Sequence, residues 1–93
     1  MIRSFGNKAT AQLFRGEVPR GMARDLAMAA RRKLLMLDAA ERLDDLRTPP
    51  GNRLEALRGD RAGQNSIRVN DQWRLVFIWR EDGAYDAEVV DYH

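Results

Sequence analysis

Apolar residues recur at steps of three and four through the middle of the chain, from about Met22 to Ala40. This spacing places them along one face of an α-helix. The other face carries four basic residues, Arg24, Arg31, Arg32 and Lys33. The pattern predicts a long amphipathic helix with an apolar inner face and a basic outer face.

Two shorter elements are predicted ahead of this helix. The opening MIRSF contains Met1, Ile2 and Phe5 and predicts a short strand. A helix is predicted over Lys8–Arg15, where Leu13 and Phe14 supply the apolar residues and a glycine follows as a stop signal.

The pattern changes in the second half of the chain. After ERLDDLR, which can form one helical turn, Pro49, Pro50 and Gly51 force a change of direction. The segments that follow are rich in β-branched and aromatic residues and alternate partly with period two, which is typical of strands. They are NRLEAL, NSIRVN, WRLVFIWR and AYDAEVVDY. We expect an antiparallel meander whose central stretch, Leu75–Trp79, is buried on both faces.

The order of these elements predicts an α+β fold, with an N-terminal strand and two helices packed on a mostly antiparallel sheet of three to four strands. The 93 residues are expected to form one domain, residues 1–93. No apolar run approaches the roughly 20 residues needed to cross a bilayer, and the opening residues do not resemble a secretory signal. A cytoplasmic protein without membrane association is expected.

The composition excludes several kinds of chemistry. The chain has no cysteine and one histidine, His93, so disulfides and a cysteine nucleophile are excluded and a zinc site lacks ligands. The chain also lacks the GxxxxGK[ST], GxGxxG, HExxH and GxSxG motifs. Neither a metal nor a cofactor is expected.

The net charge of +2 is distributed unevenly along the chain. Residues 1–35 carry eight Lys or Arg and two acids, whereas residues 81–93 carry five acids and no Lys or Arg. A basic region suits a polyanion, because neutralising phosphates releases counterions. An arginine-rich solvated helix face has the same composition, so charge alone leaves nucleic-acid binding open.

Arginines on the predicted sheet form a candidate phosphate site. If the apolar neighbours of Arg68 face the core, Arg68 points to the other face, and Arg74 begins the next strand across a short turn. Such a pair suits a phosphate, because each guanidinium offers a fixed planar fork of donors. Arg58, in the loop-forming LRGDRAG, could add a third positive charge. The alternative is that these arginines pair with acids at Asp71, Asp86 or Glu88.

The tail places three side chains with useful chemistry in a row, Asp91, Tyr92 and His93. Histidine titrates near neutrality and can act as a general acid or base, and a nearby carboxylate holds it and favours its cation. Tyrosine can stack on a base or donate to a phosphate. The alternative is an ordinary solvated tail, since terminal residues commonly fray.

The chain resembles the HigB toxins of bacterial toxin-antitoxin modules. The resemblance lies in the segments LRGD, SIRVNDQWRLVF and VDYH, in this order and spacing, together with the opening MIRSF and the helix ending KLLMLDAA. These toxins belong to the RelE-like superfamily, and the similarity spans essentially the whole chain. The resemblance implies a small RelE-like fold and a ribosome-dependent endoribonuclease that cuts messenger RNA in the ribosomal aminoacyl site.

The resemblance also implies site residues and partners. Asp91 and His93 match the acid and base positions, Tyr92 matches the stacking or orienting phenol, and Arg68 matches the phosphate-facing arginine. Substrate contacts are implied for Asn70 and Arg74, and for Arg58 where the family commonly has LKGD. Helix arginines Arg24, Arg31 and Arg32 would bind ribosomal RNA. The expected partners are a HigA-like helix-turn-helix antitoxin, the ribosome with its 16S rRNA, and mRNA, with an operator DNA contacted only through the antitoxin.

Two other functions are compatible with the sequence. The same fold could serve as a binding module with weak or lost catalysis, contacting a HigA-like antitoxin or nucleic acid; the arginine at position 58 favours this reading, because an arginine cannot give up its proton as a desolvated lysine can. A DNA-binding regulator is a further alternative, which the basic first half permits. The first half lacks a convincing helix-turn-helix, because its second helix is long and rich in alanine.

Overall fold

Both predicted helices are present in the computed structural model, which describes residues 1–91 and leaves Tyr92 and His93 outside the described residues. The helices are α1, Lys8–Phe14, and α2, Arg24–Ala39. Asn7 caps α1 by accepting a hydrogen bond from the Thr10 backbone N–H at 2.8 Å. Three short 3₁₀ turns follow in the second half, at Leu43–Arg47, Pro50–Asn52 and Gly59–Arg61. No helix within residues 1–91 has the length and apolar character needed to cross a membrane.

The predicted meander is confirmed as a four-stranded antiparallel sheet in the order β1-β2-β3-β4. Its strands are β1, Glu55–Ala56; β2, Asn65–Arg68; β3, Trp73–Arg80; and β4, Gly83–Asp91. The expectation of a strand over NRLEAL holds for only two residues, and a 3₁₀ turn begins at Gly59. Together the helices and this sheet confirm the α+β fold.

The opening residues do not form the continuous strand that was predicted. They meet β4 at two isolated parallel bridges, Ile2 with Ala84 and Phe5 with Ala87. Between these bridges β4 carries a bulge, where Asp86 adopts the left-handed conformation with φ 54° and the register with β3 shifts. The extra residue interrupts the ladder, so the N-terminal segment pairs with β4 at separated points.

The hydrophobic core lies between α2 and one face of the sheet. Leu34, Leu37 and Phe77 are completely buried there. The prediction that Leu75–Trp79 is buried on both faces is confirmed for its first three residues, including Val76 on the face away from the core. Ile78 and Trp79 are only half-buried; they lie beyond Phe77, where the pairing of β3 with β2 ends.

A buried hydroxyl joins α1 to β4. Thr10 is 1% exposed, and its Oγ1 accepts the backbone N–H of Val89 at 3.0 Å. The change Thr10→Val leaves that buried N–H without an acceptor, so we expect the free energy of unfolding to fall by about 1–3 kcal/mol. Thr10→Ser, which keeps the hydroxyl, is the matched variant. Urea denaturation of the three proteins measures the difference, and a Thr10→Val protein as stable as the wild type would contradict the role of this hydrogen bond.

Candidate functional site

The two sheet arginines lie side by side. Arg68 of β2 is directly opposite Arg74 of β3, and residues opposite each other in an antiparallel pair share a face. The buried neighbours of Arg68, Ile67 and Val69, belong to the core and so face the other way. The prediction that the two guanidiniums share one surface is therefore confirmed, on the face away from the core.

Arg74 is held in place by two uncharged acceptors. Its Nε donates to Ser66 Oγ at 2.8 Å, and one of its terminal nitrogens donates to the Arg53 carbonyl at 2.7 Å. Ser66 is fully buried, so the first contact is shielded from water. These two contacts fix the plane of the guanidinium.

Arg68 has an acid for a neighbour. Its guanidinium donates to Asp71, which lies in the turn between β2 and β3. The alternative that a sheet arginine pairs with a nearby acid is thus confirmed for Arg68. The Asp71 side chain is 99% exposed, and an ion pair this open contributes little stability. An incoming anion can therefore replace Asp71 at low cost.

Asn70 organises the same turn. Its Oδ1 accepts the backbone N–H groups of Gln72 and Trp73, at 2.9 and 2.8 Å. These contacts place the asparagine oxygen in a structural role, which the sequence pattern did not predict. The substrate contact expected of Asn70 stays a prediction, and the side-chain NH2 is the group that would make it.

Asp91 lies at the same end of the sheet, one position further along β4 than the row of arginines. The register pairs Val90 with Arg74 and Asp91 with Trp73, and Asp91 accepts a hydrogen bond from Gln72 Nε2 at 2.9 Å. Val90 lies opposite Arg74 and shares its face, and side chains alternate between faces along a strand. The strand register therefore does not bring Asp91 onto the face that carries Arg68.

Tyr92 and His93, the other two residues of the predicted catalytic set, lie outside the described residues. The expected pocket of Asp91, Tyr92, His93 and Arg68 stays a prediction. A group of three or more side chains suited to a metal is absent from residues 1–91.

Arg58 lies in the loop that follows β1. The residue before it, Leu57, donates its backbone N–H to Gln64, which precedes the first residue of β2. Arg68 is the last residue of β2, at the other end of the strand. The expectation that Arg58 adds a third charge next to Arg68 and Arg74 is therefore not supported by the register.

Lys33 supplies a positive charge that sequence reasoning assigned only to the outer face of the helix. Its Nζ donates to Asn52 Oδ1 at 2.5 Å. Burial lowers the pKa of Lys33 from its usual value, and the charges of Arg32 and Arg68 lower it further. Lys33 is thus close enough to Arg68 for their charges to interact. The signal in the sequence was its spacing of three and four residues from Ala30 and Leu37, which puts it at the border of the buried face.

The remaining helix arginines are on the surface. Arg24, Arg31 and Arg32 are all exposed on α2, as the amphipathic pattern predicted. Two apolar side chains, Met28 and Leu35, are exposed among them. Binding of ribosomal RNA by these arginines stays a prediction.

Comparisons with known proteins agree on one family. The family model described as RelE-like toxin of type II toxin-antitoxin system HigB matches residues 3–93. Endoribonuclease HigB of Proteus vulgaris is 32% identical over 93 residues, 100% of both chains. Toxin HigB-1 of Vibrio cholerae serotype O1 is 60% identical over 62 residues, which cover 67% of this chain and 64% of that protein.

An uncharacterized protein of Haemophilus influenzae is 45% identical over 51 residues, covering 55% of this chain and 50% of that protein. The matched regions therefore span less than two thirds of the Vibrio and Haemophilus proteins, but the whole of the Proteus protein.

Proposed function

Because the chain belongs to the HigB family of RelE-like toxins of type II toxin-antitoxin systems, we propose that it is a ribosome-dependent endoribonuclease. It cuts messenger RNA in the ribosomal aminoacyl site and so inhibits translation. The name of the Proteus vulgaris relative, Endoribonuclease HigB, supports the nuclease activity.

The observation that carries the proposal is the pair formed by Arg68 and Arg74. Two guanidiniums on adjacent strands, one hydrogen-bonded to Ser66 and to the Arg53 carbonyl and the other held by an exchangeable acid, suit a phosphodiester. Lys33 of α2 bonds Asn52, the residue before the Arg53 carbonyl that accepts from Arg74. Such fixed positive charge stabilises the extra negative charge that develops on a phosphate during cleavage.

The reaction needs no nucleophile from the protein, because RNA carries its own. The 2′-hydroxyl oxygen attacks the adjacent phosphorus while a base takes its proton, the bond from phosphorus to the 5′-oxygen breaks, and an acid protonates that oxygen. The products are a 2′,3′-cyclic phosphate and a free 5′-hydroxyl. We assign His93 as the acid, Asp91 as the base or as the residue that orients His93, and Tyr92 as a group that stacks on or orients the substrate.

Dependence on the ribosome follows from the weakness of these acids and bases. A carboxylate is a weak base, so the protein gains from a partner that holds the RNA in line for attack. Exposed Arg24, Arg31 and Arg32 would bind the 16S rRNA of that partner. A HigA-like antitoxin would bind the toxin in resting cells, and operator DNA would be contacted only through the antitoxin.

Cleavage with and without ribosomes tests the proposal. We expect the purified protein to cut mRNA engaged on translating ribosomes and to leave the same RNA intact when it is free. Primer extension maps the cuts, and a 2′-deoxy substitution at the mapped position should block them because the nucleophile is gone. Rapid cutting of free RNA would contradict ribosome dependence. Growth arrest without any cleavage would instead favour the binding module with weak or lost catalysis.

A further inference from the structure

Asn52 uses its whole side-chain amide inside the protein. The residue is completely buried, Nδ2 donates to the carbonyls of Leu46 at 3.1 Å and Thr48 at 3.3 Å, and Oδ1 accepts from Lys33 Nζ at 2.5 Å. A buried amide costs free energy unless such partners are present. The side chain therefore ties the segment after the first 3₁₀ turn to α2.

This tie matters because the segment can make few backbone hydrogen bonds of its own. Pro49 and Pro50 have no N–H to donate. The turn relies on two backbone contacts, from Asn52 N to the Pro49 carbonyl at 2.9 Å and from Arg53 N to the Pro50 carbonyl at 3.1 Å. The Asn52 amide adds two local contacts, to the Leu46 and Thr48 carbonyls, and one contact to α2 through Lys33.

The next residue along the chain reaches the candidate site. Arg53 adopts the left-handed conformation, with φ 47° and ψ 57°, and its carbonyl accepts the hydrogen bond from Arg74. A non-glycine residue adopts this conformation only where its surroundings enforce it. The position of the Arg53 carbonyl is thus set by the neighbouring turn, and Asn52 anchors that turn.

We propose that Asn52 is a positioning residue for Arg74. Lys33 and the two carbonyls hold Asn52, Asn52 holds the turn that presents the Arg53 carbonyl, and this carbonyl together with Ser66 Oγ orients the Arg74 guanidinium towards the phosphate. The inference rests on the proposed function, because the orientation of Arg74 affects cleavage only if Arg74 binds the substrate.

A double-mutant cycle tests this role in the ribosome-dependent cleavage assay. Arg74→Ala is expected to lower kcat/KM by roughly 10-fold or more, since it removes hydrogen bonds from a charged donor. Asn52→Ala should lower kcat/KM by roughly 5-fold or more when Arg74 is present, and by less than about 2-fold when Arg74 has already been replaced. The change of RNA affinity with salt concentration should likewise respond to Asn52→Ala when Arg74 is present and respond less when Arg74 has already been replaced.

A matched stability control separates positioning from general destabilisation. Leu13→Val weakens the core from α1, and its effect on kcat/KM should be the same with or without Arg74. All variants are assayed at a temperature at which circular dichroism shows them folded. Equal losses from Asn52→Ala in both backgrounds, no loss in either, or no effect of Arg74→Ala would each overturn the positioning role. A wild-type protein that fails to cut mRNA on ribosomes would instead overturn the proposed function, and the inference with it.

Discussion

Replacing Arg68 with alanine is expected to lower ribosome-dependent mRNA cleavage by roughly 100-fold or more and to abolish growth inhibition. Removing the guanidinium takes away a planar donor from the phosphate at the stage when its negative charge increases. The circular dichroism spectrum should not change, because the Arg68 side chain is 35% exposed and its ion pair with Asp71 is weak. A loss of similar size is expected for His93→Ala, which removes the proposed acid.

Two variants distinguish the phosphate contact from a simple charge effect. Arg68→Lys keeps the charge but loses the planar fork, so we expect an intermediate activity. Asp71→Asn removes the competing acid and is expected to leave stability unchanged within about 0.5 kcal/mol while strengthening RNA binding. Growth arrest that survives both Arg68→Ala and His93→Ala would rule out the nuclease proposal. Weaker RNA binding by Asp71→Asn would show that the acid supports Arg68 instead of competing with the substrate.

Replacing Phe77 with alanine is expected to lower the free energy of unfolding by about 3–5 kcal/mol. Phe77 is completely buried in the core at the centre of β3, where loss of the ring removes hydrophobic burial and leaves a cavity beside α2. Since small domains are commonly stable by only about 5–15 kcal/mol, this loss is a large fraction of the total stability. Urea denaturation followed by circular dichroism measures the change.

Phe77→Leu is the matched control for the cavity. Leucine keeps most of the apolar volume, so a loss of less than about 1.5 kcal/mol is expected if the core can repack. A Phe77→Ala protein that loses less than about 1 kcal/mol would show that the core collapses around the missing ring or that the denatured state absorbs the change.

The elements predicted best were those whose patterns depend on a single periodicity. The helix α2 follows from the three- and four-residue spacing around Leu34, and β3 follows from its run of apolar residues. The bulge at Asp86 was not predictable, because a bulge changes the pairing of two strands without changing the composition of either. Once present, it breaks the pairing of the N-terminal segment into two bridges and turns the predicted first strand into isolated contacts.

The candidate site was predictable where it depends on strand alternation. The pairing of Arg68 with Arg74 follows from a short hairpin between two apolar strands. Asn52 and the Arg53 carbonyl were not predictable, because their contacts with Lys33 and Arg74 join residues 19 and 21 positions apart through an irregular segment. The contribution of Arg58 stays a prediction, since the length of β1 decides which end of the sheet the following loop reaches.

The bridges that join the opening residues to β4 have a consequence for biosynthesis. Ser4 and Asp86 exchange hydrogen bonds across a sequence separation of 82 residues. During translation the opening segment must wait for nearly all of this sequence to be made before its partner exists, and contacts of such high sequence separation form slowly. The sheet is therefore completed only after β4 has left the exit tunnel and can pair with the opening segment, so these contacts form late in folding.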